Sequence, residues 1–320
     1  MSADGEWKIV SKKKGMKKRR GDVKERNIAQ GIEDLSVSEG GRIQRKIRET
    51  IEELQSSEFW SVCRETVQKV TNKYRTAPLA TSSGLDVGVA EFLEYKHDNL
   101  DHCQTTLEFV CYGIGSFSTS VSSRYQLALL FLLLETLQLI HFYSTASVYC
   151  PETIRVDEVH IPRFSCLLFD PLFTEWEKRF LKDCGLVVIK ENEEGKRHVN
   201  RPTLFYMIHC GKALYNNLLW KNWSPQQLAQ TTLIGNSFKG IEERLPARVL
   251  QRDYTYINYI LAVTEETAFP YSDRYMDIFN DTSIHQFPRR KLDSKPKEFW
   301  EGAAEPTYQQ CEDLEIILNG

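Results

Sequence analysis

Residues 109 to 120 read FVCYGIGSFSTS, an apolar run that gives way to a turn containing Gly113 and Gly115. An apolar run of this length is typical of a buried strand, and the residues from Tyr125 to Ile140 are typical of a helix that packs on a sheet. Glycines at such a turn allow backbone N–H groups to approach an anion at the start of the helix, where the helix dipole favours negative charge. The stretch therefore predicts a strand, a turn and a helix, and it raises the question of whether the turn binds a phosphate.

Strands and helices continue to alternate after this stretch. Thr174 and Glu177 have the spacing of a capping box, which marks the start of one of the helices. Alternation at short spacing is typical of a parallel sheet that is covered by helices on both faces, so the sequence predicts the α/β class. The predicted strands are 107–112, 166–169, 186–189, 203–208 and 231–234, and the later predicted helices are 174–184, 212–220 and 248–263.

The N-terminal residues 1–40 are rich in Lys, Gly, Ser and Glu and carry few large apolar groups. A segment of this composition buries too little surface to offset the entropy of ordering, so we expect a disordered basic tail. Its basic run is a candidate nuclear import signal or nucleic-acid contact, and a solvated basic tail is the alternative. The charged residues of this run are Lys12, Lys13, Lys14, Lys17, Lys18, Arg19 and Arg20.

Changes in pattern define the next segments. Apolar residues recur at helical spacing from Ile43 to Leu54, so residues 41–105 are expected to form a helical segment followed by a linker. The α/β domain covers residues 106–290. It contains an insertion at 141–160, where neither helical nor strand periodicity is visible.

The segment 291–320 turns polar and ends in an acidic tail. Its large apolar residues either dock it onto the domain or form one face of a partner-binding helix. These residues are Trp300, Leu314 and Ile317.

Charge and composition limit the partners and the compartment. A net charge of −3 over 320 residues draws the whole chain neither to nucleic acid nor to acidic membranes, so we expect protein partners. The apolar run Leu127 to Leu134 is shorter than the roughly 20 residues that span a bilayer. Eight cysteines without a Cys-x-x-Cys pair, behind a polar N-terminus, indicate reduced thiols. We therefore expect a soluble cytoplasmic protein, with a nuclear pool if the basic run is an import signal. The oligomeric state stays open.

The glycine turn is a partial match to the pattern that binds dinucleotides. Gly113 and Gly115 supply the first two glycines, but Ser118 stands in the third position. Together with Ser116 these residues form a candidate site for an adenosine-containing ligand, since two-glycine turns also occur in methyltransferase-like sheets. The alternative is that glycine is needed only because the strand and the helix pack closely.

Asp170 is a second candidate, since it ends a strand at a position where an acid often binds ribose hydroxyls. Its separation from Gly113 exceeds the roughly 20 residues of the usual fingerprint, even when the insertion is discounted. The alternative is an Asp-Pro turn that leads into the capping box.

Two further pairs close the predicted fourth and fifth strands, His209 with Cys210 and Asn236 with Ser237. Open parallel sheets place their sites at the carboxyl edge, so we expect these residues to rim one crevice with the glycine turn and Asp170. A Cys-His nucleophile pair is disfavoured, because adjacent residues on a strand point to opposite faces. The sequence has no Ser-His-Asp pattern and no phosphate loop with lysine, so it predicts a binding crevice with no catalytic residue. No two ligand pairs stand at a spacing suited to a metal ion, so no metal site is predicted.

Five motifs occur in order between about residues 106 and 290. They are Tyr112-Gly113-Ile114-Gly115-Ser116-Phe117, Phe169-Asp170-Pro171, Met207-Ile208-His209-Cys210, Ile234-Gly235-Asn236-Ser237-Phe238 and Phe279-Asn280-Asp281-Thr282-Ser283. This set resembles the Sensitivity to Red Light Reduced family in its animal, SRR-like form. The resemblance implies a Rossmann-like, mostly parallel sheet with helices on both faces, preceded by an N-terminal helical segment. It also implies a regulatory protein of circadian clock-gene expression and haem biosynthesis, with no established catalysis.

The chain departs from this family at two places. Ile208 stands where many members have proline, and the insertion at 141–160 is longer than the usual connection. The insertion is either natural or a splice or gene-model product. It contains Cys150-Pro151, the dipeptide of haem-regulatory motifs, in which a thiolate ligates iron. Cys150 is therefore a candidate haem ligand.

The sequence supports three hypotheses about function. The leading one is the regulatory protein that the resemblance implies. The second is an enzyme of methyltransferase-like fold that binds S-adenosylmethionine or a nucleotide, and it is based on the glycine turn and the crevice. The third is an interaction scaffold that uses the N-terminal helical segment and the acidic tail.

Overall fold

A computed structural model of the chain describes residues 26–71, 107–137, 166–308 and 316–317, with side chains from residue 39 onwards. The chain divides into two compact units, 1–42 and 43–320, and the first contributes to the described residues only the start of helix α1 (Arg26–Gln55). The sequence pattern places the start of this helix at Arg42, whereas it begins at Arg26. Residues 26–40 of the expected disordered tail are therefore helical, because a helix that has nucleated adds residues at little cost.

The described part of the second unit contains one mixed sheet. Its strands are β1 (Glu108–Tyr112), β2 (Cys166–Phe169), β3 (Val187–Val188), β4 (Thr203–Met207), β5 (Thr231–Asn236), β6 (Glu265–Ala268) and β7 (Thr282–Gln286). The seven strands lie in the order β3-β2-β1-β4-β5-β7-β6. The pairs among β1 to β5 are all parallel, and β7 runs antiparallel to both β5 and β6. The sheet is mostly parallel, as the sequence predicts.

Helices cover both faces of this sheet. After α1 they are α2 (Glu58–Thr71), α3 (Val121–Thr136), α4 (Glu175–Asp183), α5 (Lys212–Lys221), α6 (Pro225–Ala229), α7 (Phe238–Arg244), α8 (Ala247–Asp253), α9 (Thr255–Ile260), α10 (Met276–Phe279) and α11 (Arg289–Leu292). Successive residues of β1 alternate between two cores, as a strand requires. Phe109 and Cys111 share a core with α2, α3 and α4, whereas Val110 and Tyr112 share one with α5 to α9. The predicted Rossmann-like α/β architecture is confirmed.

Helix α3 begins directly after the glycine turn. Its first turn is capped by Ser120, whose hydroxyl accepts the backbone N–H of Ser123 at 3.2 Å. The residues from Leu127 to Leu134 are all buried, which explains why this helix is apolar around most of its girth.

The single long helix predicted over residues 248–263 is wrong. The chain instead forms α8, then α9, and then a 3₁₀ turn over Leu261–Val263. Tyr254 leaves the helical conformation, with φ −127° and ψ 47°. Helix α9 then starts where the side-chain oxygen of Asn216 accepts the backbone N–H groups of Tyr256 at 2.9 Å and Ile257 at 3.3 Å. This cap comes from another helix, so the local sequence pattern does not reveal it.

The chain after α11 folds back over the second core. The ring of Trp300 lies 5.2 Å from the ring of Trp223, and the Tyr256 hydroxyl donates to the carbonyl of Ala304 at 2.7 Å. Trp300 therefore docks this segment, whereas Leu314 lies outside the described residues.

Candidate functional site

A cavity opens at the point where the strand order reverses. β1 pairs with β2 on one side and with β4 on the other. Open α/β sheets bind ligands at such switch points, beyond the carboxyl ends of the strands. The cavity here has a volume of about 410 Å³, and Gly113, Asp170, His209 and Cys210 are among its lining residues. The structure thus brings together, at one crevice, residues from three of the sequence clusters.

The two glycines of the turn adopt a backbone conformation that other residues rarely take. Gly113 has φ +75° and Gly115 has φ +77°. Space is also short, because a Cβ on Gly113 would lie 2.5 Å from Sγ of Cys210, and one on Gly115 would lie 2.8 Å from Oγ of Ser123. Both glycines are therefore required by the folded structure itself.

A backbone amide of the glycine turn is bound by a carboxylate of the same chain. The backbone N–H of Gly115 donates to Oδ2 of Asp170 at 2.7 Å, and the N–H of Leu172 donates to Oδ1 of the same side chain at 2.8 Å. In the usual dinucleotide site an amide of this turn donates to a phosphate, whereas here it donates to the carboxylate of Asp170. Its side chain therefore stabilises the predicted Asp-Pro turn through Leu172 and also binds the glycine turn through Gly115.

Glu177 closes the other half of the turn. Its Oε1 accepts the N–H of Ser118 at 2.8 Å and the hydroxyl of Ser116 at 2.9 Å. Its Oε2 accepts the N–H of Thr174 at 2.8 Å, which completes the capping box that the sequence predicts. The residue is fully buried. One carboxylate therefore caps α4 and also binds the turn that leads into α3.

The two carboxylates respond differently to this environment. Burial raises the pKa of Asp170, and the hydrogen bonds from Leu172 and Gly115 offset part of that effect. Burial also acts to raise the pKa of Glu177, but the hydrogen bonds from Ser118, Thr174 and Ser116 outweigh it and leave the pKa lowered. Glu177 is therefore held as an anion inside the turn.

His209 and Cys210 lie in a turn just beyond β4, not on the strand as the sequence predicts. His209 adopts φ +57°, and its backbone N–H donates to the side-chain oxygen of Asn236 at 2.8 Å. The side-chain nitrogen of Asn236 donates to the carbonyl of Cys210 at 3.1 Å. Asn236 thus holds the turn in place from the neighbouring strand.

The side chains of His209 and Cys210 contact different parts of the fold. Nε2 of His209 lies 2.7 Å from the carbonyl oxygen of Ile278, whereas Sγ of Cys210 donates to the carbonyl of Tyr112 at 3.3 Å. Burial raises the pKa of the Cys210 thiol, so the thiolate that a nucleophile needs is disfavoured. The two residues do not form a nucleophile pair.

Ser237 lies apart from the crevice, contrary to the expectation of one shared rim. It caps α7, where its hydroxyl accepts the N–H of Gly240 at 2.9 Å and donates to Glu266. It lines a second cavity of about 370 Å³ with Glu266, Phe269 and Phe279. Asn236 lines a third cavity of about 320 Å³, which also touches His209 and Cys210. The sequence clusters are thus distributed over three neighbouring cavities.

Tyr215 is a positioning residue that the sequence does not reveal. Its hydroxyl donates to the carbonyl of Met207 and accepts the backbone N–H of Asn236 at 3.0 Å. A Cβ on Gly235 would lie 2.7 Å from this hydroxyl oxygen, which explains the glycine of the fourth motif. The signal in the sequence is that glycine on β5, but its partner lies on helix α5.

The nuclear import candidate and the haem candidate are not part of the described structure. The basic run from Lys12 to Arg20 and the haem candidate Cys150 lie outside the described residues. Within the described ranges no group of three or more His, Cys, Asp and Glu side chains has a metal-binding arrangement. Among those same residues no helix is both long and apolar enough to cross a membrane.

The sheet order and the crevice define a Rossmann-like α/β protein whose glycine turn is closed by its own carboxylates. The model of the SRR1 domain matches residues 93–286 of the chain. An SRR1-like protein of Mus musculus is 39% identical over 224 residues, which cover 69% of this chain and 81% of the mouse protein. Protein SENSITIVITY TO RED LIGHT REDUCED 1 of Arabidopsis thaliana is 28% identical over 298 residues, which cover 89% of this chain and 92% of that protein. The chain therefore belongs to the SRR1 family, and the resemblance seen in the five motifs is confirmed.

A solved structure is only distantly similar. The mitomycin 7-O-methyltransferase MmcR aligns with 57% of this chain and 48% of its own, at 12% identity and a TM-score of 0.27. A similarity this low assigns neither a fold nor a function.

Proposed function

We propose that the chain is a non-catalytic regulatory protein that acts in circadian clock-gene expression and in the control of haem biosynthesis. Its membership of the SRR1 family supports this role, and the Arabidopsis relative is named for reduced sensitivity to red light. The role is the one that the five sequence motifs imply.

The closed glycine turn is the observation that favours regulation over nucleotide chemistry. The N–H groups of Gly115 and Ser118 donate to Asp170 and Glu177, respectively. A phosphate at the turn would have to displace buried carboxylates and would meet their negative charge. The buried Cys210 thiol is likewise poorly suited to attack a substrate.

The test is removal of the gene and re-expression of the unaltered chain. Loss of the protein is expected to change the rate of haem synthesis and the rhythm of clock transcripts, and re-expression should restore both. Unchanged haem synthesis and unchanged transcripts in the deleted cells would contradict the proposal.

Protein partners and a nuclear pool belong to the same proposal. The basic run supports import, because lysine and arginine clusters of this kind are read as import signals. Alanine at Lys17, Lys18, Arg19 and Arg20 should shift a fluorescent fusion from the nucleus to the cytoplasm. An unchanged distribution would remove the import signal. Pull-downs from a chain that lacks residues 309–320 test the acidic-tail part of the scaffold alternative, which predicts that partners are lost.

An adenosine-containing ligand is the second candidate, since the cavity of about 410 Å³ lies at the switch point beside Asp170. A ligand at 100 times its dissociation constant stabilises a folded protein by about 2.7 kcal/mol. Thermal-shift titration with S-adenosylmethionine, NAD and ATP should therefore detect it. No stabilisation at millimolar ligand would exclude the enzyme hypothesis.

Haem binding is tested separately by absorption spectroscopy of the Cys150→Ala variant. A Soret band that survives this substitution would exclude Cys150 as the haem ligand.

A further inference from the structure

The crevice has an apolar rim that is partly covered by a distant part of the chain. Leu172 follows β2 at the rim and is 64% exposed. Ile316 and Ile317, from the C-terminal part of the chain, also line the cavity. Ile316 packs against the second core, whereas Ile317 is 59% exposed. An aliphatic pair of the chain itself therefore lies on this surface.

The contact at Ile317 is a hydrogen bond to the backbone. The side-chain nitrogen of Asn192 donates to the carbonyl oxygen of Ile317 at 2.6 Å. The side-chain oxygen of Asn192 accepts the N–H of Glu194 at 3.0 Å, and Glu194 adopts φ +51°. The tight loop therefore holds the amide in a fixed orientation. A preoriented group that binds a backbone carbonyl beside an apolar surface is suited to an extended peptide.

Contacts earlier in the chain keep this segment near the crevice. The Tyr308 hydroxyl donates to the side-chain oxygen of Asn217 at 2.7 Å, and Lys196 pairs with Glu305 at 2.7 Å. Such tethering raises the effective concentration of the residues that follow. Occupation of the crevice by Ile316 and Ile317 is therefore intramolecular, and a few contacts are enough to maintain it.

We propose that this crevice is a docking site for an extended, unphosphorylated protein segment with two adjacent aliphatic residues, and that Ile316 and Ile317 are its intramolecular competitor. The partner's aliphatic pair would lie beside Leu172, and Asn192 would bind a carbonyl of its backbone. A phosphate on the partner would not gain the N–H of Gly115, because that group already donates to Asp170. The proposal goes beyond the clock and haem roles, since docking is measured in vitro and needs neither.

The probe is a fluorescein-labelled peptide of residues 309–320, titrated into the full chain and followed by fluorescence anisotropy. The double substitution Ile316→Ser/Ile317→Ser opens the crevice, so it should bind the peptide roughly tenfold more tightly than the unaltered chain. Ile317→Ser alone alters a mostly exposed side chain, and it should give a smaller gain without risk to folding. Addition of Asn192→Ala to the double variant should weaken binding again.

Two controls isolate the aliphatic pair. Val62→Ser removes an exposed aliphatic residue of α2, which is 42% exposed, and binding should stay at the level of the unaltered chain. A peptide with serine at both isoleucine positions should not bind the opened variant. Equal binding to the opened and unaltered chains, no binding to either, or equal binding of the serine peptide would overturn the docking site. None of these results bears on the cellular role, so the two proposals fail separately.

Discussion

The backbone N–H of Gly115 donates a hydrogen bond to Oδ2 of Asp170 at 2.7 Å, so the glycine turn binds a carboxylate of its own chain. The contact joins the end of β1 to the end of β2. Turns of this kind bind phosphate in dinucleotide sites because their amides are open. Here the amide of Gly115 already has a hydrogen-bond partner in the chain. The glycines are needed because neighbouring segments lie too close for a Cβ atom.

Asp170→Ala is expected to destabilise the protein. The substitution removes the acceptor of the N–H groups of Gly115 and Leu172, and an unsatisfied buried donor costs about 1–3 kcal/mol. The free energy of unfolding in urea should fall by roughly that amount. Asp183→Ala is the matched control, because this exposed carboxylate ends α4, and its effect should stay within about 0.5 kcal/mol. Equal losses in the two variants would contradict the role given to Asp170.

Gly113→Ala should cost more than an equivalent change at Gly185. Both glycines have a left-handed backbone, with φ +75° and φ +79°, but only Gly113 lies against Cys210. The strain common to both is about 1–2 kcal/mol, so Gly185→Ala measures it alone. The excess in Gly113→Ala should shrink when Cys210→Ala is added, as followed by urea unfolding. Similar losses at the two glycines, or no recovery with Cys210→Ala, would show that the contact with Sγ is unimportant.

The parallel part of the sheet is predictable from the sequence because most residues of β1, β2 and β4 are apolar, and those of β1 and β4 are buried on both faces. Such strands appear as short apolar runs, as at 166–169 and 203–208. The same reasoning does not predict β6 and β7. The four residues of β6 are Glu265 to Ala268, and none of them is fully buried. Their pairing depends on a partner strand rather than on a local apolar pattern.

The candidate site is predictable only at the level of the sheet edge. The rule that sites lie beyond the carboxyl ends of parallel strands correctly places Gly113, Asp170 and His209 together. It fails for Ser237, because β7 inserts beside β5 in the antiparallel direction, and the carbonyl of Asp281 accepts the N–H of Ser237 at 2.7 Å. The second role of Glu177 is also hidden, since it depends on a contact between segments that are distant in the chain.

Asn216→Ala should weaken the start of α9. Its side-chain oxygen accepts the N–H groups of Tyr256 and Ile257, and loss of a side-chain cap costs about 0.5–2 kcal/mol. Urea unfolding should show a loss in this range, with faster amide exchange at Tyr256 and Ile257. Asn200→Ala is the control, because Asn200 is exposed, and it should leave both measurements unchanged. Unchanged exchange at Tyr256 in Asn216→Ala would contradict the cap.

His285 is a buried histidine of β7 whose ring is bound on both sides. Its Nε2 accepts the backbone N–H of Phe238 at 3.3 Å, and its Nδ1 lies 3.3 Å from the carbonyl oxygen of Leu233. This arrangement assigns the proton of the neutral ring to Nδ1. Burial lowers the pKa of His285 to about 4, although the carboxylate of Glu266 at 3.6 Å and that of Asp281 act in the opposite direction.

Stability should therefore fall as the pH decreases from about 6.5 to about 4. Over this range the unfolded chain binds a proton at His285 and the folded chain does not, so the stabilisation present above pH 6.5 is progressively lost. The loss should be roughly 2–3 kcal/mol, at about 1.4 kcal/mol per unit of pKa difference. Urea unfolding at pH 7.5 and 5.0 should show a flatter pH dependence for His285→Asn than for the unaltered chain. His198→Asn alters an exposed histidine and should keep the original dependence. An equally steep dependence in His285→Asn would show that other groups cause the loss.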